Sequence, residues 1–214
     1  MTITEQQDIE PARLRILQTS AELFADHGYK ATSVRAICEA AQVNVAMVNY
    51  YFHSKEELHL AAFEHARLLA ALVPDESAAG SPEAQLRQAI SELVLTMLSS
   101  GPSSLFARLV ARELLEPTAA MARLAEHHVL PQHAQFTRLI RGVVGQSLPA
   151  EVVQKCVLSA IGQVVFYARS RSVHELVAPE ITYDDAGIAA IAQHIADFTL
   201  AALAGLQAQK AVAP

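Results

Sequence analysis

The sequence predicts an all-α protein of about nine helices, and three observations predict it. Apolar residues recur three or four positions apart along most of the chain, which is the spacing of one helix face. No stretch alternates apolar and polar residues for long enough to indicate a strand. Glycine and proline fall mainly between the periodic stretches, where helices begin and end.

The composition excludes two classes of protein. Of the 214 residues, 52% are hydrophobic and 18% are charged, and the net charge is −6. Intrinsic disorder goes with low hydrophobicity, and a disulfide scaffold needs more than two distant cysteines. Soluble domains carry about 25% charged residues on average. We therefore expect the excess apolar surface to be covered by a partner subunit or to surround a ligand.

The sequence does not predict a membrane protein. The apolar stretch 156–168 is shorter than the roughly 20 residues that cross a bilayer. The stretch 186–206 is long enough but contains Gln193, His194 and Asp197, which are costly in hydrocarbon. The first ten residues are polar and lack the basic and apolar segments of a signal peptide. We expect a cytoplasmic protein with no membrane partner.

The first predicted helix has an apolar face and a glycine stop. Its apolar positions are spaced 3, 4 and 3 residues apart: Leu14, Leu17, Ala21 and Phe24. Gly28 follows and predicts the end of this helix.

Three further helices follow closely in the sequence. A short second helix begins after Thr32 and Ser33, and a short third helix begins at Asn44, with a tight connection near Gln42. Ser54 and Glu57 are spaced as a capping box, which opens a fourth helix that runs to about residue 73. The segment PDESAAGSP at 74–82 predicts a loop.

The rest of the chain predicts longer helices. Their expected ranges are 82–99, 103–115, 119–144, 150–171 and 185–207. Breaks fall at Gly101-Pro102, at Pro117 and at 145–149. Pro131 is expected to kink or divide the helix over 119–144. The segment 172–184 is expected to be looser.

The second and third helices have the geometry of a helix-turn-helix. They are short and separated by about four residues, and the second helix of such a pair lies in a DNA major groove. Apolar positions would pack the pair against the first helix: Val34, Ile37, Ala41, Val43, Val48 and Phe52. We therefore predict a three-helix DNA-binding domain over 1–54 and a second helical domain over 55–214.

The remaining positions of this segment suit DNA. Thr32, Ser33 and Asn44 lie at helix N-termini, where hydroxyl, amide and free N–H groups bind phosphate. Tyr50, Tyr51 and Lys55 offer hydroxyl and ammonium groups to phosphates, although Tyr51 also fits a core position. Other positions would face base edges: Val45, Ala46, Met47 and Asn49. Arg35 would project from the first helix of the motif toward the same groove.

The segment from Thr32 to Leu58, with its lead-in from Ile16, resembles the DNA-binding domain of TetR-family transcriptional regulators. The run 48–52 (VNYYF) resembles the version found in the CecR/CerR-like subgroup. The runs 112–117 (RELLEP) and 156–163 (CVLSAIGQ) are similar to the same subgroup. The N-terminal resemblance covers about a quarter of the chain and is specific, whereas the C-terminal one is weaker.

The resemblance implies a role for each of these positions. It implies phosphate contacts at Thr32, Ser33, Tyr51 and Lys55. It implies groove contacts from the remaining candidates: Arg35, Val45, Ala46, Met47, Asn49 and Tyr50. Where the family usually has glycine at the turn, this chain has Gln42, and a left-handed conformation there would cost roughly 1–2 kcal/mol.

The domain over 55–214 fits a ligand cavity and a dimer interface. Helix 150–171 is apolar on almost every side. Helix 185–207 carries an apolar stripe: Ile188, Ile191, Ile195, Phe198, Ala202 and Leu206. The resemblance implies that these two helices form a four-helix bundle with a second copy. An isologous homodimer would cover their outer faces.

A few polar residues in this apolar domain are candidates for binding a small effector: Arg108, Arg112, Glu113, His127, Gln163 and Tyr167. Arg112 and Glu113 fit an ion pair between helices as well as a ligand site. Gln163 and Tyr167 fit a buried polar contact equally well.

Neither a metal site nor a catalytic site is predicted. His127 and His128 are adjacent, so they point about 100° apart on a helix and do not easily share an ion. The sequence has no GxSxG, no glycine-rich phosphate loop and no CxxC. We expect no cofactor and no enzymatic activity.

The sequence as a whole predicts a homodimeric, ligand-responsive regulator of transcription, most simply a repressor. Its partners would be a palindromic double-stranded operator and an unidentified, largely apolar effector. One alternative is a helical small-molecule enzyme or carrier with a vestigial DNA-binding domain. Another is an architectural DNA-binding protein with a filled core and no effector.

Overall fold

A computed structural model describes residues 3–69, 80–98 and 102–212, and within these ranges helices are joined by short connections, with no strand. The helices are α1 (Ile3–Ala31), α2 (Val34–Ala41), α3 (Val45–Phe52), α4 (Lys55–Leu69), α5 (Pro82–Leu98), α6 (Pro102–Leu115), α7 (Ala120–Leu124), α8 (Leu130–Val144), α9 (Ala150–Arg169), α10 (Arg171–Val177) and α11 (Asp185–Val212). The all-α prediction is confirmed. Residues 70–79 and 99–101, where the end of one helix and a loop are predicted, lie outside the described ranges.

The chain forms two compact units by its internal contacts. Helices α1 to α4, α6 and α7 build the first unit, and α5 with α8 to α11 builds the second. This division differs from the predicted boundary after residue 54. The physical reason is the apolar face of α4, because Leu58, Ala62 and Phe63 are buried in the same core as α1.

The core of the first unit is aromatic and aliphatic. Phe24 on α1, Ile37 on α2 and Leu58 on α4 have almost no exposed surface. Helix α6 completes this core with Phe106, whose ring centroid lies 5.5 Å from that of Phe63. Burying a side chain of this size contributes roughly 1.5–3 kcal/mol, so α6 belongs energetically to this unit.

Helix α1 is broken at the predicted glycine. Gly28 has φ 81° and ψ 165°, which is outside the helical region, and α1 resumes for a short stretch to Ala31. Glycine adopts positive φ at little cost because it has no Cβ. The break turns the chain toward α2.

The second unit is built around α11. The buried positions of this helix recur three to four residues apart and include Ile188, Ile191, Ile195 and Leu203. They pack with Ile90 of α5, among other residues. An ion pair between Arg87 of α5 and Asp197 of α11 lies at the surface of the same unit.

Two predicted segments have more structure than expected. The helix predicted over 119–144 is divided into α7, one π-helical turn (Ala125–Val129) and α8, with Pro131 in the first turn of α8. The expected disturbance thus takes the form of a π-helical turn just before Pro131, and the helical backbone continues through it. The segment expected to be loose contains α10, anchored by buried His174.

Helix α11 meets the length and composition requirements of a membrane span. Its residues 185–210 include an 18-residue window with mean hydropathy 1.4. A core helix of a soluble protein passes the same test, and the inner face of α11 is buried against α5, α8 and α9.

Candidate nucleic-acid interface

The start of α2 contains two neighbouring hydroxyl residues with different roles. Ser33 caps the helix, because its Oγ accepts a hydrogen bond from Ala36 N at 3.1 Å, and its side chain is exposed. Thr32 is 3% exposed, and its hydroxyl donates to Gly28 O at 2.8 Å. Its backbone N–H also donates to Gly28 O. Thr32 therefore departs from the predicted phosphate contact: it holds the junction between α1 and α2.

The turn between α2 and α3 is left-handed at a residue other than glycine. Gln42 has φ 55° and ψ 47°. Its N–H donates to Glu39 O at 3.3 Å, and the N–H of Val43 donates to Cys38 O at 3.0 Å. These two bonds form a Schellman motif, which satisfies carbonyl groups at the end of α2. The turn thus keeps the geometry that glycine usually provides.

Helix α3 is capped at its start and anchored from beneath. Asn44 Oδ1 accepts a hydrogen bond from Met47 N at 2.9 Å. Val48 and Phe52 are 2% and 4% exposed and fix one face of α3 in the core. The guanidinium of Arg13 lies 5.6 Å from the centroid of the Phe52 ring.

The opposite face of α3 is open to solvent. Val45 is 47% exposed and Tyr50 is 65% exposed, and Asn44, Ala46 and Asn49 are exposed as well. Met47 and Tyr51 are half-buried. A short helix with buried apolar residues on one side and small, amide and phenol side chains on the other can place those side chains against base edges.

Lys55 lies at the start of α4, and its ammonium is 4.2 Å from the centroid of the Tyr29 ring. Burial lowers the pKa of Lys55. The same partial burial raises the pKa of Tyr29, with a smaller contribution from Glu56. A cation held over an aromatic ring has fewer rotamers to lose when it binds a phosphate.

Arg35 points away from the core on α2. Its Nε donates to Glu39 Oε1 at 2.9 Å, and 86% of its side chain is exposed. An exposed pair of this kind contributes little to stability. The guanidinium is therefore free to exchange the carboxylate for a phosphate.

Sequence reasoning missed Arg13 and Tyr29. Both lie on α1, and each makes a cation–π contact with a residue of the interface: Arg13 with Phe52, and Tyr29 with Lys55. No sequence spacing relates Arg13 to Phe52 or Tyr29 to Lys55. Only the packing of α1 against α3 and α4 brings these pairs together.

Three of the predicted effector residues have partners within the first unit. Arg108 pairs with Asp26 at 2.7 Å, and Arg112 donates to the carbonyl groups of Ala25 and Asp26. Glu113 is 2% exposed and accepts hydrogen bonds from the N–H and the hydroxyl of Thr118, at 2.6 and 2.9 Å. These contacts tie α6 to α1 and close the turn after α6.

The other three predicted effector residues belong to the second unit. His127 is exposed in the π-helical turn, and Gln163 is half-buried with its Nε2 donating to Ser159 O at 3.3 Å. Tyr167 O accepts a hydrogen bond from the Tyr183 hydroxyl at 3.2 Å. The six residues are thus divided between the two units, and a shared effector site stays a prediction.

No group of three or more His, Cys, Asp or Glu side chains with the geometry of a metal site occurs within residues 3–69, 80–98 and 102–212. Cys38 is buried and Cys156 is half-buried, and both are free thiols. Burial raises the pKa of each thiol, and Glu39 adds to this effect at Cys38.

Two family descriptions match the chain. Residues 16–62 match the family described as "Bacterial regulatory proteins, tetR family". Residues 82–203 match the family described as "HTH-type transcriptional dual regulator CecR, C-terminal domain". The first match contains α2, α3 and the start of α4, and the second runs from α5 into α11.

One curated regulator is similar to this chain in sequence across much of its length. The chain is 30% identical over 151 residues to the HTH-type transcriptional dual regulator CecR of Shigella flexneri, a match that covers 64% of this chain and 66% of that protein. The chain therefore spans just under two thirds of this relative.

Solved structures share the fold. A TetR-like transcriptional regulator from Rhodococcus sp. RHA1 has a TM-score of 0.66 at 19% identity, covering 91% of this chain and 96% of that one. A regulator from Saccharomonospora viridis, solved in complex with choline, has a TM-score of 0.65 at 17% identity, covering 87% and 94%. At these identities the likeness shows the fold alone.

Proposed function

Because the chain belongs to the TetR family of bacterial regulators and carries a CecR-type C-terminal domain, we propose that it is a ligand-responsive repressor that binds a palindromic operator. A small, largely apolar effector would release it from the DNA. The observation that carries this proposal is α3, a capped helix that is anchored by Val48 and Phe52 and exposes its opposite face.

The proposed interface uses local groups and little net charge. Residues 1–60 contain five basic side chains (Arg13, Arg15, Lys30, Arg35 and Lys55) and eight acidic ones. Non-specific affinity follows the number of phosphates that cations neutralise, so we expect it to be modest. Specific affinity would come from the N-termini of α2 and α3, from Tyr50, Tyr51 and Lys55, and from the α3 face in the major groove.

The proposed dimer uses the outer faces of α9 and α11. Leu158 and Phe166 on α9 are 62% and 58% exposed, and Phe198 on α11 is 57% exposed. A Cβ added at Gly162 or Gly205 would meet no atom of the described part of the single chain within 4 Å. Exposed apolar residues beside open glycines suit the close approach of a second copy's helices. A dimer would place its two α3 helices about 34–36 Å apart, one turn of DNA.

Choline in the Saccharomonospora structure supports a small-molecule effector for a protein of this fold. The predicted residues His127, Gln163 and Tyr167 remain candidates in the second unit. Arg108, Arg112 and Glu113 are less suitable, because a ligand would first have to break their contacts with Asp26, Ala25 and Thr118. We expect the protein to act in the cytoplasm.

DNA binding is tested with a double variant of the interface. A high-affinity duplex is first selected from a randomised pool with the wild-type protein. Tyr50→Ala combined with Lys55→Ala should weaken binding to this duplex at least tenfold, because it removes phosphate contacts. It should also make the dependence of log K on log salt shallower by about one unit.

The matched control is Lys210→Ala, which removes an exposed lysine of α11 far along the chain from the helix-turn-helix. It should leave the affinity and the salt slope unchanged. Thermal unfolding of both variants checks that the fold is intact. Wild-type affinity and salt slope in a folded double variant would refute the proposed interface.

A further inference from the structure

The first unit contains a groove that the DNA-binding function does not use. Helices α1, α4 and α7 form this groove, which has a volume of about 420 Å³. Its lining includes the apolar side chains of Leu17, Leu60 and Ala61 and the polar side chains of Arg13, His65 and Arg123. We call it the α1–α4–α7 groove. Sites for small molecules occupy roughly 300–1,000 Å³, so this groove has a suitable size, and its charged side chains could orient a ligand.

His65 supplies an unused polar atom at this groove. Its Nε2 is buried and has no hydrogen-bond partner among the residues that the structure describes. Burial lowers the pKa of His65, and the charge of Arg13 lowers it further. The ring is therefore neutral near pH 7, where one nitrogen can donate a hydrogen bond. Buried polar atoms are nearly always paired in native proteins, so an unpaired one on a residue that lines a groove points to a ligand group.

The charges along the groove are unevenly distributed. Arg13 comes from α1 and Arg123 from α7. The two carboxylates that line the groove, those of Glu57 and Glu64, both come from α4. Arg67 holds the carboxylate of Glu64 through two hydrogen bonds, at 2.9 and 2.5 Å, which offsets its charge. Glu57 precedes His65 by eight residues, about 12 Å along a helix. The end of the groove near His65 and Arg13 is therefore the favourable end for an anion.

We propose that the α1–α4–α7 groove binds an amphipathic organic monoanion, such as an aryl or alkyl carboxylic acid. Its carboxylate would accept hydrogen bonds from the guanidinium groups of Arg13 and Arg123. His65 Nε2, which is buried, would reach the carboxylate once the imidazole turns about χ2 toward the groove. Its apolar body would lie against Leu17, Leu60 and Ala61. This site is separate from the predicted effector residues, none of which lines the groove.

Arg13 connects the groove to the DNA-binding helix. The same guanidinium that lines the groove lies over the ring of Phe52, the last residue of α3. A bound anion that draws Arg13 toward it weakens this contact and loosens the anchor of α3. This regulatory consequence rests on the proposed function. By linkage, the anion and the DNA then weaken each other's binding by the same factor.

The probes are 4-phenylbutyrate and octanoate, each compared with its neutral amide by isothermal titration calorimetry on the full chain. At least one of the two anions should bind, and its amide should bind at least tenfold more weakly, because charge-assisted hydrogen bonds are lost. His65→Leu and Arg123→Gln should each weaken binding of the anion roughly fivefold or more. Arg138→Gln, an exposed arginine of α8 outside the groove, should bind like the wild type.

Three outcomes would overturn the groove proposal: neither anion binds up to its solubility limit, the amides bind as tightly as the anions, or both groove variants bind like Arg138→Gln. The selected duplex gives an independent measurement. If the wild type binds an anion as expected but no DNA, the proposed function fails and the groove stands. If it binds DNA but neither probe, only the groove proposal fails.

Discussion

At the scale of single residues, Gln42 shows how far a sequence pattern constrains a turn. The family resemblance marks its position as one that glycine usually occupies, and the structure places Gln42 at φ 55° with both Schellman hydrogen bonds formed. The geometry of the turn is kept, and the residue bears the steric cost of the left-handed conformation.

Gln42→Gly should therefore stabilise the protein. We expect the free energy of unfolding to rise by about 0.5–1 kcal/mol, because glycine removes the Cβ clash. The larger conformational entropy of glycine in the unfolded chain offsets part of this gain. Urea unfolding followed by circular dichroism measures it. The matched control is Gln88→Gly in the exposed interior of α5, where the same change should destabilise by about 1 kcal/mol. Destabilisation at both positions would contradict a left-handed Gln42.

His59 should make stability depend on pH. It is 4% exposed among the rings of Phe24, Tyr29 and Phe63, whose centroids lie 4.6, 5.0 and 6.2 Å away. Burial lowers the pKa of His59. Glu113 opposes this change and Lys55 adds to it. Since the folded-state pKa lies below the unfolded value of about 6.5, the unfolded chain binds the proton more tightly.

The free energy of unfolding should consequently fall as the pH drops below about 6.5. His65 contributes with the same sign, because burial also lowers its pKa. His59→Phe should reduce the loss of stability between about pH 7.5 and pH 5.5, since one of these two groups no longer titrates. Urea titrations at several pH values measure the slope. An unchanged slope in a folded variant would show that His59 does not titrate differently in the two states.

The predicted site residues differ in how well the sequence identified them. The caps Ser33 and Asn44 have a local cause, a side-chain oxygen three residues before a free N–H, and sequence shows that directly. Thr32 has the same residue type as a cap, but its burial depends on the break at Gly28. Arg112 contacts α1, 86 and 87 residues earlier, so its role depends on tertiary packing.

At the scale of helices, the N-terminus of α3 carries both stability and the proposed affinity for DNA. Asn44→Ala removes the cap on Met47 N and should cost about 1 kcal/mol of unfolding free energy. Asn44→Asp is the matched control, because it keeps the capping oxygen and its charge favours the helix dipole. The aspartate variant should keep wild-type stability while losing DNA affinity through repulsion of phosphate. Chemical unfolding and DNA titration measure the two effects, and equal DNA affinity in all three proteins would remove Asn44 from the interface.

Helix α11 illustrates where periodicity misleads. The predicted apolar stripe contains Phe198, which is 57% exposed, together with Ile188, Ile191 and Ile195, which are buried. The buried face runs instead through Thr199 to Leu203. Small alanine residues fill most neighbouring positions, so several rotations of this helix fit the sequence equally well. Packing against α5 and α9 selects one of them.

The π-helical turn at Ala125–Val129 was likewise not foreseen. Pro131 indicates that the helix is disturbed there but not in what form, because a π-helical turn and an α-helical turn can have the same amino-acid composition. The consequence is local: the turn separates α7 of the first unit from α8 of the second.

At the scale of the whole molecule, the exposed apolar residues of α9 and α11 determine the expected oligomeric state. Leu158→Glu combined with Phe198→Asp should convert a dimer to a monomer, because two charges would be buried in the proposed interface. Light scattering after gel filtration measures the mass, and affinity for the palindromic duplex should fall with it. Leu176→Glu, on α10 and 82% exposed, is the matched control and should remain dimeric. A dimeric double variant would place the interface elsewhere.

The fold class, the family and the helix-turn-helix were predictable because each has a local signal: helical spacing, capping residues and a motif over 32–58. The division into units was not. Helix α6 joins α1 to α4 through contacts such as Phe63–Phe106, which link residues far apart in the chain. Sequence periodicity shows that α6 has an apolar face but does not show which core receives it.

The discontinuity of the first unit has a consequence for biosynthesis. The ribosome synthesises α1 to α4 first. Helices α6 and α7 complete their core, and these are made only after α5. Until then the nascent chain exposes Phe63 and the other side chains that Phe106 and Leu109 cover in the finished protein. A polypeptide truncated between α4 and α5 would therefore retain the helix-turn-helix sequence without the core that supports it. We expect such a fragment to be a substrate for cellular proteases and chaperones.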